Sequence, residues 1–501
     1  MVQGTTSSSG KSVLVAALCR IFLQDGYRVA PFKSQNMALN SFVTPEGGEI
    51  GRAQATQAEA AGILPLVHMN PVLLKPEADS RCQIVLMGRV DRTISARDYY
   101  KYTPKLLGAI QNSLNYLRNN YDIVVIEGAG SPAEINLKDR EIVNMRIAKI
   151  AQSPVLLVGD IDRGGVFAQL YGTLELLEAD ERALIRGLVI NKFRGDISLL
   201  NPGLKQLEEL TSVPVTGVVP YIRNLGLAEE DSVYLDEHQP YSGQDRLHVS
   251  VIRLPHISNY DDFDPLQADG CSIFYVNNPA ELENTHLIII PGTKSTIADL
   301  KWLVSSGLAS KIMERFNAGT PVIGICGGYQ MMGNNIFDPT HIESATGQAQ
   351  ALGLLNADTT FAPEKATTQV KAEFIGGYGI LAGINSDEKL TGYEIHMGQT
   401  ASTLANVFRI TTTPMGGAAY TDGSINEAGT AFGTYLHGIF HNNGFRHQLL
   451  ENLKGMHGIS PTSKMQTQIN FNREDAYNRL AETVRKSLDI SAVYGMMGLR
   501  Q

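Results

Sequence analysis

Short, unbroken apolar runs punctuate this chain at intervals, each followed by a longer stretch of helical character. Arg28–Phe32, Tyr121–Ile126, Pro154–Gly159 and Arg186–Ile190 are such runs. A strand that is apolar throughout belongs in a parallel sheet covered on both faces. Alternation of these runs with helical stretches predicts a doubly wound parallel α/β domain over residues 1–223. Pro220–Arg246 breaks the pattern: it is polar and acidic, so a linker is expected over 224–246. A second strand series starts at Leu247 and includes Leu287–Ile290, Val322–Ile325 and Ala431–Leu436. It predicts a second doubly wound α/β domain over 247–446. Beyond it, Ala476–Leu488 is amphipathic and predicts a packing helix within a C-terminal helical extension, 447–501.

The chemistry gathers where strands end. The chain opens MVQGTTSSSGKSVLV, a short strand, a glycine- and hydroxyl-rich turn and a helix. That is the context of a phosphate-binding loop, whose backbone N–H groups cradle phosphates. Gly4, Thr5 and Gly10 shape it, Lys11 is placed to neutralise the β/γ oxygens, and Ser12 to hold Mg2+. Five residues, Thr5 to Ser9, separate Gly4 from Gly10, one more than the usual loop has. The first strand is short enough that the start is expected to lack a few native residues. Lys33 closes the second strand, well placed to act on a transferring phosphoryl group. Glu127 closes the Tyr121–Ile126 strand and reads as a metal ligand or a helix-capping acid. Glu49 is a further candidate Mg2+ ligand, although its neighbourhood also suits any surface helix. Asn191, at the end of Arg186–Ile190, reads as a purine-recognising amide or a plain turn residue.

The stretch PVIGICGGYQMMG, Pro321–Gly333, carries a second chemistry. A strand, a cysteine, two glycines and a helix start make a nucleophile elbow. The helix N-terminus lowers the thiol pKa and aims N–H groups at the reacting atom. Cys326 is therefore the candidate nucleophile, against the alternative of a buried core thiol. Gly327 and the loop at Gly292 are expected to supply an oxyanion site. A cysteine nucleophile needs a base, and histidine is the usual one. His437 is favoured because it closes a strand in the same domain. His396, in GYEIHMG, is the competitor and is ranked as a residue lining the site.

Composition narrows the class. At 501 residues the chain is too long for one core. Hydrophobic residues make up 43% and charged residues 19%, ordinary for a globular enzyme. A net charge of −9 disfavours a nucleic-acid partner. Four cysteines without a CxxC pair argue for a reducing compartment and against structural zinc. No apolar run reaches the ~20 residues of a membrane span, and nothing resembles a signal peptide. A cytoplasmic location is expected.

Taken together, GTTSSSGKS, PFKSQNMALN, EIGRAQATQAEAAG, EGAGSPAEINL, GDIDRGGVFA, NKFRGD, PGTKST, GICGGYQMMG, GYEIHMG and FGTYLHGIF run in one order from Gly4 to Phe440. In this set the chain resembles the cobyric acid synthase family. The resemblance implies an ATP- and glutamine-dependent amide ligase of cobalamin biosynthesis. Its expected corrinoid substrate is adenosylcobyrinic acid a,c-diamide, amidated at the remaining b, d, e and g carboxylates. The first domain resembles the dethiobiotin synthetase group of P-loop enzymes. The second resembles class I, triad-type glutamine amidotransferases. Most of those carry His-Pro-Glu, whereas this chain has His437-Gly438-Ile439. The expectation is therefore a Cys–His dyad, or a carboxylate supplied from elsewhere. Two other readings stand beside this one. Cobyrinic acid a,c-diamide synthase shares both domain types, but PFKSQNMALN and EIGRAQ favour the first reading. A P-loop ATPase switch with an inactive docking domain is disfavoured by the presence of Cys326 and His437.

Overall fold

Strands whose side chains are apolar on both faces pair in parallel and need helices above and below. In the computed structural model, which describes residues 1–77, 81–222, 246–412, 416, 418–459 and 471–499, the N-terminal strands do this. Val2–Gly4, Val155–Asp160, Ile185–Phe193 and Val215–Pro220 lie side by side, all parallel. Val29–Phe32 and Ile123–Ile126 form a parallel pair, joined to Val2–Gly4 by a bridge between Val2 and Glu127. Gly4, Lys33, Glu127, Asp160 and Asn191 thus arrive at one edge of the sheet, at the carboxyl ends of its strands. The expected linker, apart from Arg246, lies outside the described residues.

Two small sheets are inserted that the apolar pattern does not announce. Gln35–Met37, Val72–Pro76, Arg81–Leu86 and Arg89–Ser95 form one, and Ser41–Val43 pairs with Glu49–Gly51 in the other. This second hairpin touches the C-terminal half: Gln369 donates to the Val43 carbonyl at 2.8 Å, and Val43 packs with Tyr393 and Ile395.

The C-terminal half is built on one large sheet. Its parallel core runs Ser272–Val276, His248–Ile252, Leu287–Ile290, Val322–Ile325, Ala431–Thr434. Antiparallel strands then extend it: Tyr420–Ile425, Ala405–Thr412, and the long pair Ala357–Phe374 with Lys389–Ser402. These have one wet face, so their apolar residues are spaced out and give a weaker signal than the buried core runs.

The tail does not stay with the C-terminal sheet. Helix Asn443–Met456 runs across residue 446, where the second domain is expected to end. The next helix, Arg473–Ser487, packs on Lys11–Gln24 of the N-terminal half. Leu480 and Val484 share a core with Val15, Leu18 and Phe22. Arg485 pairs with Asp25 at 2.8 Å, and the Tyr494 hydroxyl donates to the same carboxylate at 2.7 Å. Among the described residues no helix is long and apolar enough to cross a membrane.

Leu480 is fully buried in that core. Leu480→Ala should therefore cost about 2–5 kcal/mol, read as a lowered thermal unfolding midpoint of the N-terminal half.

Candidate functional site

The elbow is forced by crowding. Strand Val322–Ile325 leads into Cys326, whose φ of 52° and ψ of −108° are unusual for any residue with a side chain. Helix Gly327–Met332 starts at once. A Cβ on Gly328 would lie 1.8 Å from the Ile290 carbonyl oxygen, so only glycine fits there. A Cβ on Gly327 would lie 2.8 Å from the Thr293 methyl carbon. The backbones of Gly327 and of the Pro291–Thr293 loop are thus packed together beside the thiol. Cys326 is buried, with Sγ 3.7 Å from the Ile395 carbonyl. Cys19 and Cys271 are core thiols of the inert kind, and burial pushes Cys271 up to about 12.

His437 follows strand Ala431–Thr434 and is 1% exposed. Cys326 is among the groups that favour the protonated form of its ring. Its Nδ1 lies 2.7 Å from Asp262 Oδ2, and the Gly438 N–H donates to Asp262 Oδ1, also at 2.7 Å. Both oxygens of Asp262 therefore face the histidine segment. Burial pushes the imidazolium down, but Asp262 and Cys326 more than reverse this and hold it above its ordinary value. Burial pushes the Asp262 carboxyl up, against the pull of His437. Tyr393 stacks on the imidazole at 5.2 Å between ring centres. A Cβ on Gly292 would stand 3.0 Å from His437 Cε1, so the missing side chain leaves the ring its space.

Asp262 is the residue that sequence reasoning missed. It comes from a short 3-10 turn, Tyr260–Phe263, 175 positions before His437. The signal available was SNYDDFD, which follows a buried strand, but its three acids in four positions hide which one matters. His396 is near this pair without joining it. Its Nδ1 is 2.8 Å from the Gly398 carbonyl, and its ring stacks on Tyr435 at 3.8 Å.

At the N-terminal sheet edge, the phosphate loop turns through Gly10, whose φ is 91°. A Cβ there would strike the Asn191 amide at 2.1 Å. That amide donates to the Ser9 carbonyl at 2.9 Å, so Asn191 braces the loop. Lys11 Nζ donates to the Thr6 carbonyl at 2.9 Å and curls over the loop. Thr5 donates its backbone N–H to Val158 and Gly4 packs against Ser9.

Glu127 is the hub of this edge. Its Oε1 accepts from Lys33 Nζ and from the Ser12 hydroxyl, each at 2.9 Å. Its Oε2 accepts from Gln57. Glu49 does not join it, which corrects the expectation of a metal ligand there. Strand Glu49–Gly51 turns that carboxylate toward Lys75, at 2.6 Å, and Lys365, at 2.5 Å. Two ammonium groups fill both of its oxygens and hold the carboxyl well below its usual range, despite burial. Gln57, from the helix that follows, occupies the place beside Glu127 instead. Among the described residues no three His, Cys, Asp or Glu side chains gather as a metal cluster. Ser12 and Glu127 give two oxygen donors, which fits Mg2+, an ion that keeps waters and phosphate oxygens.

Comparison with known proteins agrees with this division. Residues 1–233 match the CobQ/CobB/MinD/ParA nucleotide binding domain, and residues 248–445 the CobB/CobQ-like glutamine amidotransferase domain. A cobyric acid synthase of Dehalococcoides mccartyi strain CBDB1 is 58% identical over 99% of this chain and 98% of its own. One from Alkaliphilus metalliredigens is 50% identical over 99% of each chain. Among solved structures, PurLQS from Thermotoga maritima is 16% identical, covering 42% of this chain and 99% of its own, at a TM-score of 0.32. A nucleotide-binding domain and a glutamine amidotransferase domain, joined in one ligase and shared at this identity over nearly the full length, place the chain in the cobyric acid synthase family.

Proposed function

We propose that this enzyme amidates the remaining peripheral carboxylates, b, d, e and g, of adenosylcobyrinic acid a,c-diamide, using ATP and glutamine. The observation that carries the reading is the buried line Cys326–His437–Asp262 in the same chain as a phosphate loop. In the C-terminal domain, the Cys326 thiolate attacks the side-chain amide carbon of glutamine. The Gly327 N–H and the Pro291–Thr293 loop stabilise the oxyanion. His437 gives its proton to the departing ammonia, and Asp262 holds the ring in the tautomer that permits this. Water then attacks the thioester, yielding glutamate and the free thiol.

In the N-terminal domain, ATP lies along Gly4–Ser12. A carboxylate is a poor electrophile, so it must first be activated. The substrate carboxylate attacks the γ-phosphorus, and ADP leaves. Lys11 and Lys33 balance the charge that develops on the phosphoryl oxygens. Ser12 and Glu127 would hold Mg2+, which would supply further charge neutralisation. Ammonia attacks the acyl carbon of the acyl phosphate, and inorganic phosphate leaves. Only the free base has the lone pair for this, which favours direct transfer between the domains.

Cys326→Ala should abolish glutamine-dependent amidation while leaving ammonium-dependent amidation intact. Retained glutamine hydrolysis by that variant would show Cys326 to be a core thiol. Asp262→Asn should lower kcat for glutamine hydrolysis by about 10³–10⁴. The sign of its pH effect is fixed: removing the carboxylate destabilises the imidazolium, so His437 loses its proton sooner. The alkaline limb of the residual activity should move to lower pH. Glu127→Gln should depress amidation with either nitrogen source and raise the Mg2+ concentration needed for half-maximal rate.

A further inference from the structure

The loop that carries Asp262 is held from the other domain. The Asn259 N–H donates to Asn40 Oδ1 at 2.7 Å, and Asn259 Nδ2 donates to the Ser41 carbonyl at 3.0 Å. Asn259 has a φ of 54°, a left-handed conformation that these bonds help to hold. Its Nδ2 also reaches the hydroxyl of Tyr393, the ring stacked on His437, at 2.8 Å. Two residues on, Asp261 Oδ2 pairs with Arg52 Nε at 3.1 Å, and Arg473 stands 3.5 Å away. Arg52 is itself buried and is anchored by Glu59 at 3.1 Å. Its guanidinium lies over Phe42, whose edge meets Tyr393.

Two independent grips thus hold the residues on either side of Tyr260, immediately before Asp262. Both come from the N-terminal half, one from the hairpin region and one from helix Arg52–Ala60. That helix also sends Gln57 to Glu127, beside Ser12 of the phosphate loop. One rigid element therefore touches the nucleotide edge with one residue and the glutamine site with another. We propose that Arg52 and Asn40 are positioning residues for glutamine hydrolysis, acting through Asp261 and Asn259 to seat Asp262 on His437. The geometry of the nucleotide-binding domain thereby sets the rate at which ammonia is released. This deepens the reading of Cys326 and His437 given above and rests on it.

The test uses the full chain with ATP and adenosylcobyrinic acid a,c-diamide. Arg52→Gln should lower kcat for glutamine hydrolysis by about 100-fold, the scale expected when a catalytic group is misplaced by about 1 Å. KM for glutamine and ammonium-driven amidation should each stay within about twofold of wild type, because neither needs Asp262 to be seated. Arg52→Lys should recover part of the loss. Adding Asp261→Asn to Arg52→Gln should cost less than Asp261→Asn costs alone, since the two changes share the Arg52–Asp261 pair. Asn40→Ala should move the same parameters in the same direction and serves if Arg52→Gln does not fold. Equal losses with glutamine and with ammonium would overturn the inference, reducing the contacts to structural adhesion. So would unchanged hydrolysis in both Arg52→Gln and Asn40→Ala, alongside complete loss in Cys326→Ser. Hydrolysis retained by Cys326→Ser would overturn the nucleophile reading and this inference with it.

Discussion

A carboxylate buried against an imidazole is the constraint from which much of this molecule follows. Asp262 and His437 are both almost fully inaccessible, and neither charge can be left alone in such a place. Each oxygen of Asp262 has a donor, one from the ring and one from the Gly438 backbone. That bidentate seat fixes the ring orientation and leaves its other nitrogen for the thiol. It also makes the loop behind Asp262 a mechanical part of the site. Asp262 lies in a single 3-10 turn, Tyr260–Phe263, entered through a left-handed Asn259; so short a turn holds itself with few bonds, and its grip comes from packing partners.

The nucleotide edge obeys the same economy. Glu127 is a single buried acid serving a lysine, a hydroxyl and an amide. Lys33 offsets its charge, and Ser12 brings the phosphate loop to it. Gln57 reaches in from helix Arg52–Ala60, whereas Lys33 and Glu127 stand just past the carboxyl ends of parallel strands and Ser12 in the first helical turn beyond one. This is where helix N-termini and strand-end carbonyls leave polar groups without regular partners, so ligands collect there.

Between the two sites, the inserted hairpin and its neighbours make the domain contact polar and buried. Glu49 with Lys75 and Lys365 is a three-charge cluster spanning both halves. Glu77 with Lys294 is a two-charge pair spanning both halves, next to the Pro291–Thr293 loop. Buried ion clusters contribute little net stability compared with apolar packing, but they penalise any misregistered arrangement heavily. The returning helix Arg473–Ser487 adds apolar burial against helix Lys11–Gln24, while its first residue, Arg473, reaches Glu59 and Asp261 at the domain contact.

Local sequence determined much of this protein. The parallel core strands lie where continuous apolar runs stand, because burial on both faces leaves no alternative composition. The elbow at Cys326 and the turn at Gly10 were legible because adjacent backbone leaves no room for a Cβ, so glycine marks the place. Lys33, Glu127 and His437 were legible because they close strands. Tertiary structure alone decided what depends on distant segments meeting. The partner of His437 lies 175 residues upstream, and no local pattern separates Asp262 from Asp261 or Asp264. Glu49 read as a candidate Mg2+ ligand, but a hairpin turned it to two lysines instead. The tail's helix was visible from its amphipathic period, whereas its partner was not. A hydrophobic stripe specifies that it must be covered, and only the fold specifies by what.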